Sequence, residues 1–175
     1  AFYDEAPLAE ARVDQANRNA ATLARILDEL GASAILPGRR DRAQPSEVLS
    51  ELRKTTDATW LAMDANTEVL FENAGKLRVA IVGARPGVDR DAVKAAVEKA
   101  RADADLAVVL MDGSRRDANR MGAIEGVDFV IEGGLDQDAP LPPRQTGSAW
   151  VLHASRQGQG LTVVDVFRGA KDAPY

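Results

Sequence analysis

The sequence predicts an α/β fold, with a mixed sheet flanked by helices in layers. Three observations predict it. Short apolar runs alternate with stretches whose apolar residues recur at helical spacing. Two runs, Leu77–Val82 and Leu106–Met111, are apolar throughout much of their length, as strands covered on both faces are. Finally, the apolar runs end in Gly or Pro-Gly, at Pro37-Gly38, Gly83, Gly113 and Gly133-Gly134, where α/β chains turn out of a strand.

Taken in order, Pro7–Leu30 reads as a long helix with Leu23, Ile26, Leu27 and Leu30 on its core face and Gly31 as its stop. Ser33–Leu36 reads as a short buried strand, followed by a loop carrying Gly38-Arg39-Arg40-Asp41. Pro45–Leu52 fits a short helix with Pro45 in its first turn. Trp60–Met63, Val69–Phe71 and Leu77–Val82 read as strands, and Asp89–Ala104 as a helix burying Val93, Ala96, Val97 and Ala100. After the Leu106–Met111 strand, Ser114-Arg115-Arg116-Asp117 matches a capping box that opens another short helix. Val127–Ile131 is the next strand. The Pro-rich stretch Asp136–Gly147 reads as a surface loop. Ala149–His153 and Leu161–Phe167 are expected to close the fold as a hairpin. The resulting organisation is one domain over residues 1–168 and a tail or linker over 169–175.

Composition narrows the function. With 175 residues and 45% hydrophobic content, the chain can bury one substantial core. Its net charge of −5 and lack of a basic face argue against a nucleic-acid binder that works by phosphate neutralisation. Cysteine is absent, which excludes disulfides, thiolate catalysis and cysteine zinc sites. No run approaches the ~18 apolar residues of a membrane span. The chain begins at Ala1 without Met, which reads as a processed or excised product.

Three strand ends carry the chemistry-bearing residues. They are Gly38-Arg39-Arg40-Asp41, then Val109-Leu110-Met111-Asp112-Gly113 with Asp117 downstream, and then Asp128-Phe129-Val130-Ile131-Glu132-Gly133-Gly134-Leu135-Asp136. In order and spacing these resemble three motifs of the calcineurin-like metallophosphoesterases, especially the 5′-nucleotidase branch: Gly-Asn-His-Asp, Leu-Ser-His-x-Gly and Asp-x-Val-Ile-x-Gly-His-x-His. Asn17–Gly31, Ala62–Asn66, Gly75–Gly83 and Gln157–Leu161 resemble the intervening segments. The resemblance implies a layered sandwich like the core of that family.

It also implies which residues would stand at the metal site. The family's Asn ligand becomes Arg39 and its phosphate-contacting His becomes Arg40, followed by Asp41; the middle His becomes Asp112, and the last two histidines become Gly134 and Asp136. Guanidinium groups offer donors only and cannot ligate a cation. A dinuclear hydrolase needs ligands holding its ions about 3.5–4 Å apart, and Asp112 with Asp136 would not rebuild such a set. The family's Asp-x-His and Gly-Asp motifs precede the long helix, where only Ala1–Asp4 stands. The expectation is that those upstream strands have been shed, or belong to a partner or a removed segment.

The resemblance therefore implies a degenerate member with no catalytic residue, no metal and no cofactor, serving as a structural or protein-interaction module. Its partner would be another protein or another segment of a larger assembly, in a periplasmic or cell-surface setting. Two other functions stay open: a phosphoesterase whose ligands are supplied elsewhere, and an anion- or nucleotide-binding module using Arg39 and Arg40. For the arginines themselves three readings are open. Arg39, Arg40 and Arg42 form a solvated cluster, or Arg39 or Arg40 pairs with Asp112 or Asp136, or Arg39 and Arg40 hold a small anion. His153, the only histidine, reads as structural, since no orienting partner stands near it in sequence. Gly83-Ala84-Arg85-Pro86-Gly87 reads as a turn without phosphate-loop spacing.

Overall fold

The computed structural model describes residues 2–4, 7–63, 67–85, 87–133, 141–153 and 162–167. After a 3-10 turn at Glu10–Arg12 come helix α1 (Val13–Glu29), strand β1 (Ala34–Ile35), helices α2 (Arg39–Arg42) and α3 (Ser46–Arg53), and strand β2 (Thr59–Trp60). The second half holds β3 (Val69–Ala74), β4 (Leu77–Ala84), α4 (Arg90–Ala100), β5 (Leu106–Asp112), α5 (Arg115–Gly122), β6 (Phe129–Gly133), β7 (Arg144–Thr146) and β8 (Ala149–His153). The expected domain end after residue 168 lies outside the described residues.

The main sheet has six strands in the order β3-β4-β5-β6-β8-β7. The four central strands run parallel, and an antiparallel strand borders each edge. This is the mixed α/β sheet that the alternating pattern predicts. Strand register sorts the side chains by face. Val82, Val109, Val130 and Val151 are aligned neighbours and fully buried, in one core with Val93 and Val97 of α4 and Ala118 and Met121 of α5. The opposite face carries Val108, Phe129 and Trp150 in register, with Trp150 43% exposed.

A second core is built from Tyr3, Ala20, Ala24, Ile35, Leu49, Leu52 and Trp60, around the two-stranded parallel sheet β1–β2. It meets the main sheet where Leu61 and Ala62 press against Gly83: a Cβ added at Gly83 would lie 2.7 Å from Leu61 Cβ. Only glycine leaves β4 room for that approach. Ala62 itself adopts a left-handed φ of 53°, which ends the strand expected over Trp60–Met63 at Trp60.

Four other expectations are corrected. The long helix starts at Val13, and its buried face is Ala20 and Ala24, with Leu27 partly buried against the same core as expected, whereas Leu23, Ile26 and Leu30 stand 36%, 46% and 76% exposed. Small side chains allow the helix to lie close to α3, so the interior follows the alanines, and Leu23, Ile26 and Leu30 are turned outward. The Gly38–Asp41 segment is a helix rather than a loop, closed by Arg42 N–H donating to the Gly38 carbonyl at 3.0 Å. The closing hairpin is formed by β7 and β8, so part of the Pro-rich segment supplies a strand. Residues 162–167, part of the Leu161–Phe167 stretch expected as its second strand, form no strand, with Val163 and Phe167 71% and 81% exposed.

Candidate functional site

The parallel strands β4 and β5 end side by side, with Ala84 aligned to Met111, and the chain leaves each strand toward the same edge. Crevices at such carboxyl ends are where open α/β sheets place their sites. Here α2 lies over the edge. Its first and last residues, Arg39 and Arg42, are one turn apart and so share a face. Together with Ala43, Arg85 and Gly87 they line an open cleft of about 360 Å³.

Asp112, the last residue of β5, is 7% exposed. Arg42 Nη2 donates to Asp112 Oδ2 at 3.0 Å, and Arg42 Nη1 donates to the Pro37 carbonyl. An internal ion pair is one of the readings open in the sequence, with Arg39 or Arg40 as its cation. The structure gives that place to Arg42. Residues on a helix turn by about 100° per position, so Arg42 reaches the sheet edge while Arg39, one turn earlier, stands exposed. Arg40 lies on a different side of α2, and its carbonyl accepts from Gln44 Nε2 at 3.1 Å.

Asp41 points away from the cleft and is fully buried. Its Oδ1 accepts the N–H groups of Phe2 at 2.6 Å and Tyr3 at 3.0 Å, and its Oδ2 accepts that of Gly38 at 2.7 Å. Three charge-assisted hydrogen bonds satisfy the carboxylate and bind the N-terminal segment to α2. Tyr3 follows it into the core, donating its hydroxyl to Asn17 Oδ1 at 2.9 Å. Burial, assisted by the Asp41 charge, holds the Tyr3 phenol above its ordinary pKa. Phe2 stacks on Trp60 with centroids 5.2 Å apart. Asp41 is thus an anchor for the chain, where the motif resemblance set it among the site residues.

Asp136 and Gly134, the remaining motif positions, lie outside the described residues. Among the described residues no group of three or more His, Cys, Asp and Glu side chains is arranged to hold a metal ion. No described helix is long and apolar enough to cross a membrane.

A second polar cluster sits at the ends of β6 and β8. Glu132 is fully buried, and Arg144 of β7 grips it through Nη1–Oε1 at 2.7 Å and Nη2–Oε2 at 2.8 Å. Arg144 Nε donates to Asn119 Oδ1 of α5 at 3.0 Å. The hydrogen bond to Glu132 is the main reason that the guanidinium is held above its ordinary pKa. His153 is aligned with Glu132 across the ladder and is buried, and among the described residues its Nδ1 has no hydrogen-bond partner. It has the packed, structural position expected of it.

The sequence reading does not single out Arg85, which falls in an apparent turn, or either member of the Glu132–Arg144 pair. A signal exists for Glu132. It falls at the alternate position after Val130, where strand periodicity demands an inward side chain, and an inward carboxylate requires a cationic partner.

Comparison with known proteins bears on the fold. The structure of the sulfate thiohydrolase SoxB from Thermus thermophilus, in complex with glycerol, matches with a TM-score of 0.66 and 20% identity. The match covers 80% of this chain and 31% of SoxB, so the chain spans less than a third of that protein's length. A hypothetical protein, also from Thermus thermophilus, matches with a TM-score of 0.45 and 10% identity, over 79% of this chain and 70% of that one. No protein-family model and no curated protein matches. The six-stranded mixed sheet with flanking helices shares the fold of SoxB, a layered α/β architecture such as is expected from the motifs.

Proposed function

We propose that this chain is a metallophosphoesterase-like domain in which an arginine–carboxylate pair stands where the fold would hold metal ions, and that it acts as a structural or protein-interaction module. The observation that carries this reading is the Arg42–Asp112 pair. The carboxylate that the motif order assigns to the metal site is already engaged by a guanidinium at 3.0 Å, and both groups are largely buried. A divalent ion would have to displace that cation and leave the arginine charge without its partner, at a cost of several kcal/mol.

The surface supports the second half of the reading. Leu23, Ile26 and Leu30 follow one another at helical spacing on the outside of α1 and are all exposed. Among the described residues, each strand of the β1–β2 pair has one neighbour only, and unpaired strand edges accept further strands. A periplasmic or cell-surface setting belongs to the same proposal, and it rests on the motif resemblance.

Metal analysis and phosphatase assay of the purified chain test the proposal. The expected result is sub-stoichiometric Mn²⁺, Zn²⁺ and Mg²⁺ after incubation with each ion and desalting, with no hydrolysis of p-nitrophenyl phosphate or nucleotides above buffer. One or two retained ions per chain, or hydrolysis that depends on the added ion, would overturn it in favour of a working phosphoesterase.

A further inference from the structure

We infer that the cleft between α2 and the end of β4 is a binding site for a tetrahedral oxyanion, a phosphoryl or sulfuryl group, held by Arg39, Arg42 and Arg85. Three guanidinium-bearing residues from two separate elements line one space of about 360 Å³. Of the three, Arg42 has its charge matched by Asp112. Among the described residues neither Arg39 nor Arg85 forms an ion pair, so two cations border the cleft without a carboxylate. Bringing like charges together is unfavourable unless an anion joins them, and the chain as a whole is acidic, at −5.

The geometry favours a compact anion with several oxygens. A guanidinium presents parallel N–H donors that match the oxygen pairs of phosphate and carboxylate. Arg42 is held by its bonds to Asp112 and the Pro37 carbonyl, which gives the cleft one fixed donor group at little further entropic cost. Arg39 is exposed and Arg85 half-buried, and they approach the cleft from different walls, one on α2 and one beyond β4. Ala43 and Gly87 complete the lining. Among the described residues no aromatic side chain lines it, so recognition centres on the anionic group.

This site differs from the one suggested by the motif alone. Arg40 takes no part in the lining, and Arg85, from a segment that reads as a turn, takes its place. Nor does it depend on the interaction reading above, because the cleft binds an anion whether or not the domain also docks a partner.

Isothermal titration calorimetry of the intact chain tests the inference, with inorganic phosphate, sulfate, acetate and chloride at matched ionic strength. Saturable binding of phosphate or sulfate with about one site per chain is expected, and the tighter of the two names the source chemistry. Acetate and chloride should give no saturable heat. Arg39→Ala and Arg85→Ala should each weaken oxyanion binding about tenfold, as loss of one charge-assisted contact does, and the double variant should abolish it. Arg53→Ala, an exposed arginine on α3, is the charge-matched control and should bind as the parent does. Equal heats from phosphate and chloride, full binding by the double variant, or an equal loss in Arg53→Ala would each overturn the assignment. Neither Arg39 nor Arg85 is in an ion pair among the described residues, so folding should survive these changes, and circular dichroism verifies it.

Discussion

Arg144 and Glu132 form a two-pronged ion pair, with N–O distances of 2.7 and 2.8 Å around a carboxylate that is fully buried. The pair ties the edge strand β7 to β6 across the intervening β8, and Asn119 extends it to α5. Removing only the cation leaves a buried charge without compensation. Arg144→Met should therefore lower stability by about 3–5 kcal/mol, read as the shift of the urea midpoint at unchanged slope. Arg144→Met with Glu132→Leu should recover most of that loss, since exchanging a whole buried pair for apolar groups is often neutral. A double variant as unstable as the single would show that the ion pair itself, rather than the orphaned charge, sets the cost.

Asp41 holds the N-terminal segment through three backbone N–H groups. An asparagine there keeps one acceptor oxygen and turns an amide toward groups that are themselves donors. Asp41→Asn should cost about 2–3 kcal/mol. Because Phe2 stacks on Trp60, release of the segment should also change the Trp60 fluorescence.

Tyr3 provides a pH readout of the same region. Burial is the larger cause of its raised pKa and Asp41 the smaller, so Asp41→Asn should bring the phenol only part of the way down. The sign follows from the neutral phenol being the folded form. Its contribution to stability is complete below the unfolded value of 10.0 and is lost as pH rises through the higher folded value. Alkaline destabilisation should set in above pH 10.0, and the share of it due to Tyr3 should be smaller in the variant, whose folded value lies nearer 10.0, as followed by urea midpoints against pH.

Gly83 is where the two cores meet. A methyl group added there would come within 2.7 Å of Leu61 Cβ, and the neighbouring Ala62 is fixed in a left-handed conformation. Neither can yield as the end of a long side chain would. Gly83→Ala should destabilise the chain by about 1–3 kcal/mol, and a compensating change at Leu61 that keeps only the Cβ, Leu61→Ala, should recover little, because the clash is with the Cβ itself. A single Gly83→Ala variant with unchanged stability would mean that the β2 end gives way freely.

These particulars explain what was legible in the sequence. The sheet was, because Leu77–Val82 and Leu106–Met111 can be buried only as central strands. The α4 core face was also legible, since Val93 and Val97 are the large apolar residues at helical spacing and both are fully buried. In α1 the same rule held only for Leu27: it ranks leucine above alanine, while close helix packing selects Ala20 and Ala24. The hairpin failed for a related reason. Leu161–Phe167 is more strand-like in composition than Arg144–Thr146, but Arg144 has the Glu132 carboxylate to reach, and pairing beside β8 brings it there. The motif order located Asp112 at a strand end and pointed to α2. It did not identify Arg42 or Arg85 as cleft residues, because which arginine meets which wall depends on helix phase and on a chain crossing far away in sequence.

The capping box at α5 gives a final prediction that was readable from four residues. Ser114 Oγ accepts the Asp117 N–H at 3.2 Å, and Asp117 Oδ2 accepts both the Ser114 N–H at 3.2 Å and its hydroxyl at 2.6 Å. Ser114→Ala removes one helix-end acceptor and should cost about 1 kcal/mol, the usual effect of a lost N-cap. The same hydroxyl is the main cause of the low Asp117 pKa, with the Ser114 backbone N–H and then Arg120 and Arg116 adding less. A lowered folded pKa means that the contribution is present above the unfolded value of 3.8 and is lost as pH falls through the folded value. The destabilisation caused by Ser114→Ala should therefore shrink in strongly acidic solution, where the parent loses the ionised Asp117 as well. Carboxyl titration by NMR should show Asp117 rising toward its ordinary value in Ser114→Ala. An unmoved titration would assign the shift to the Ser114 backbone N–H and the arginines instead.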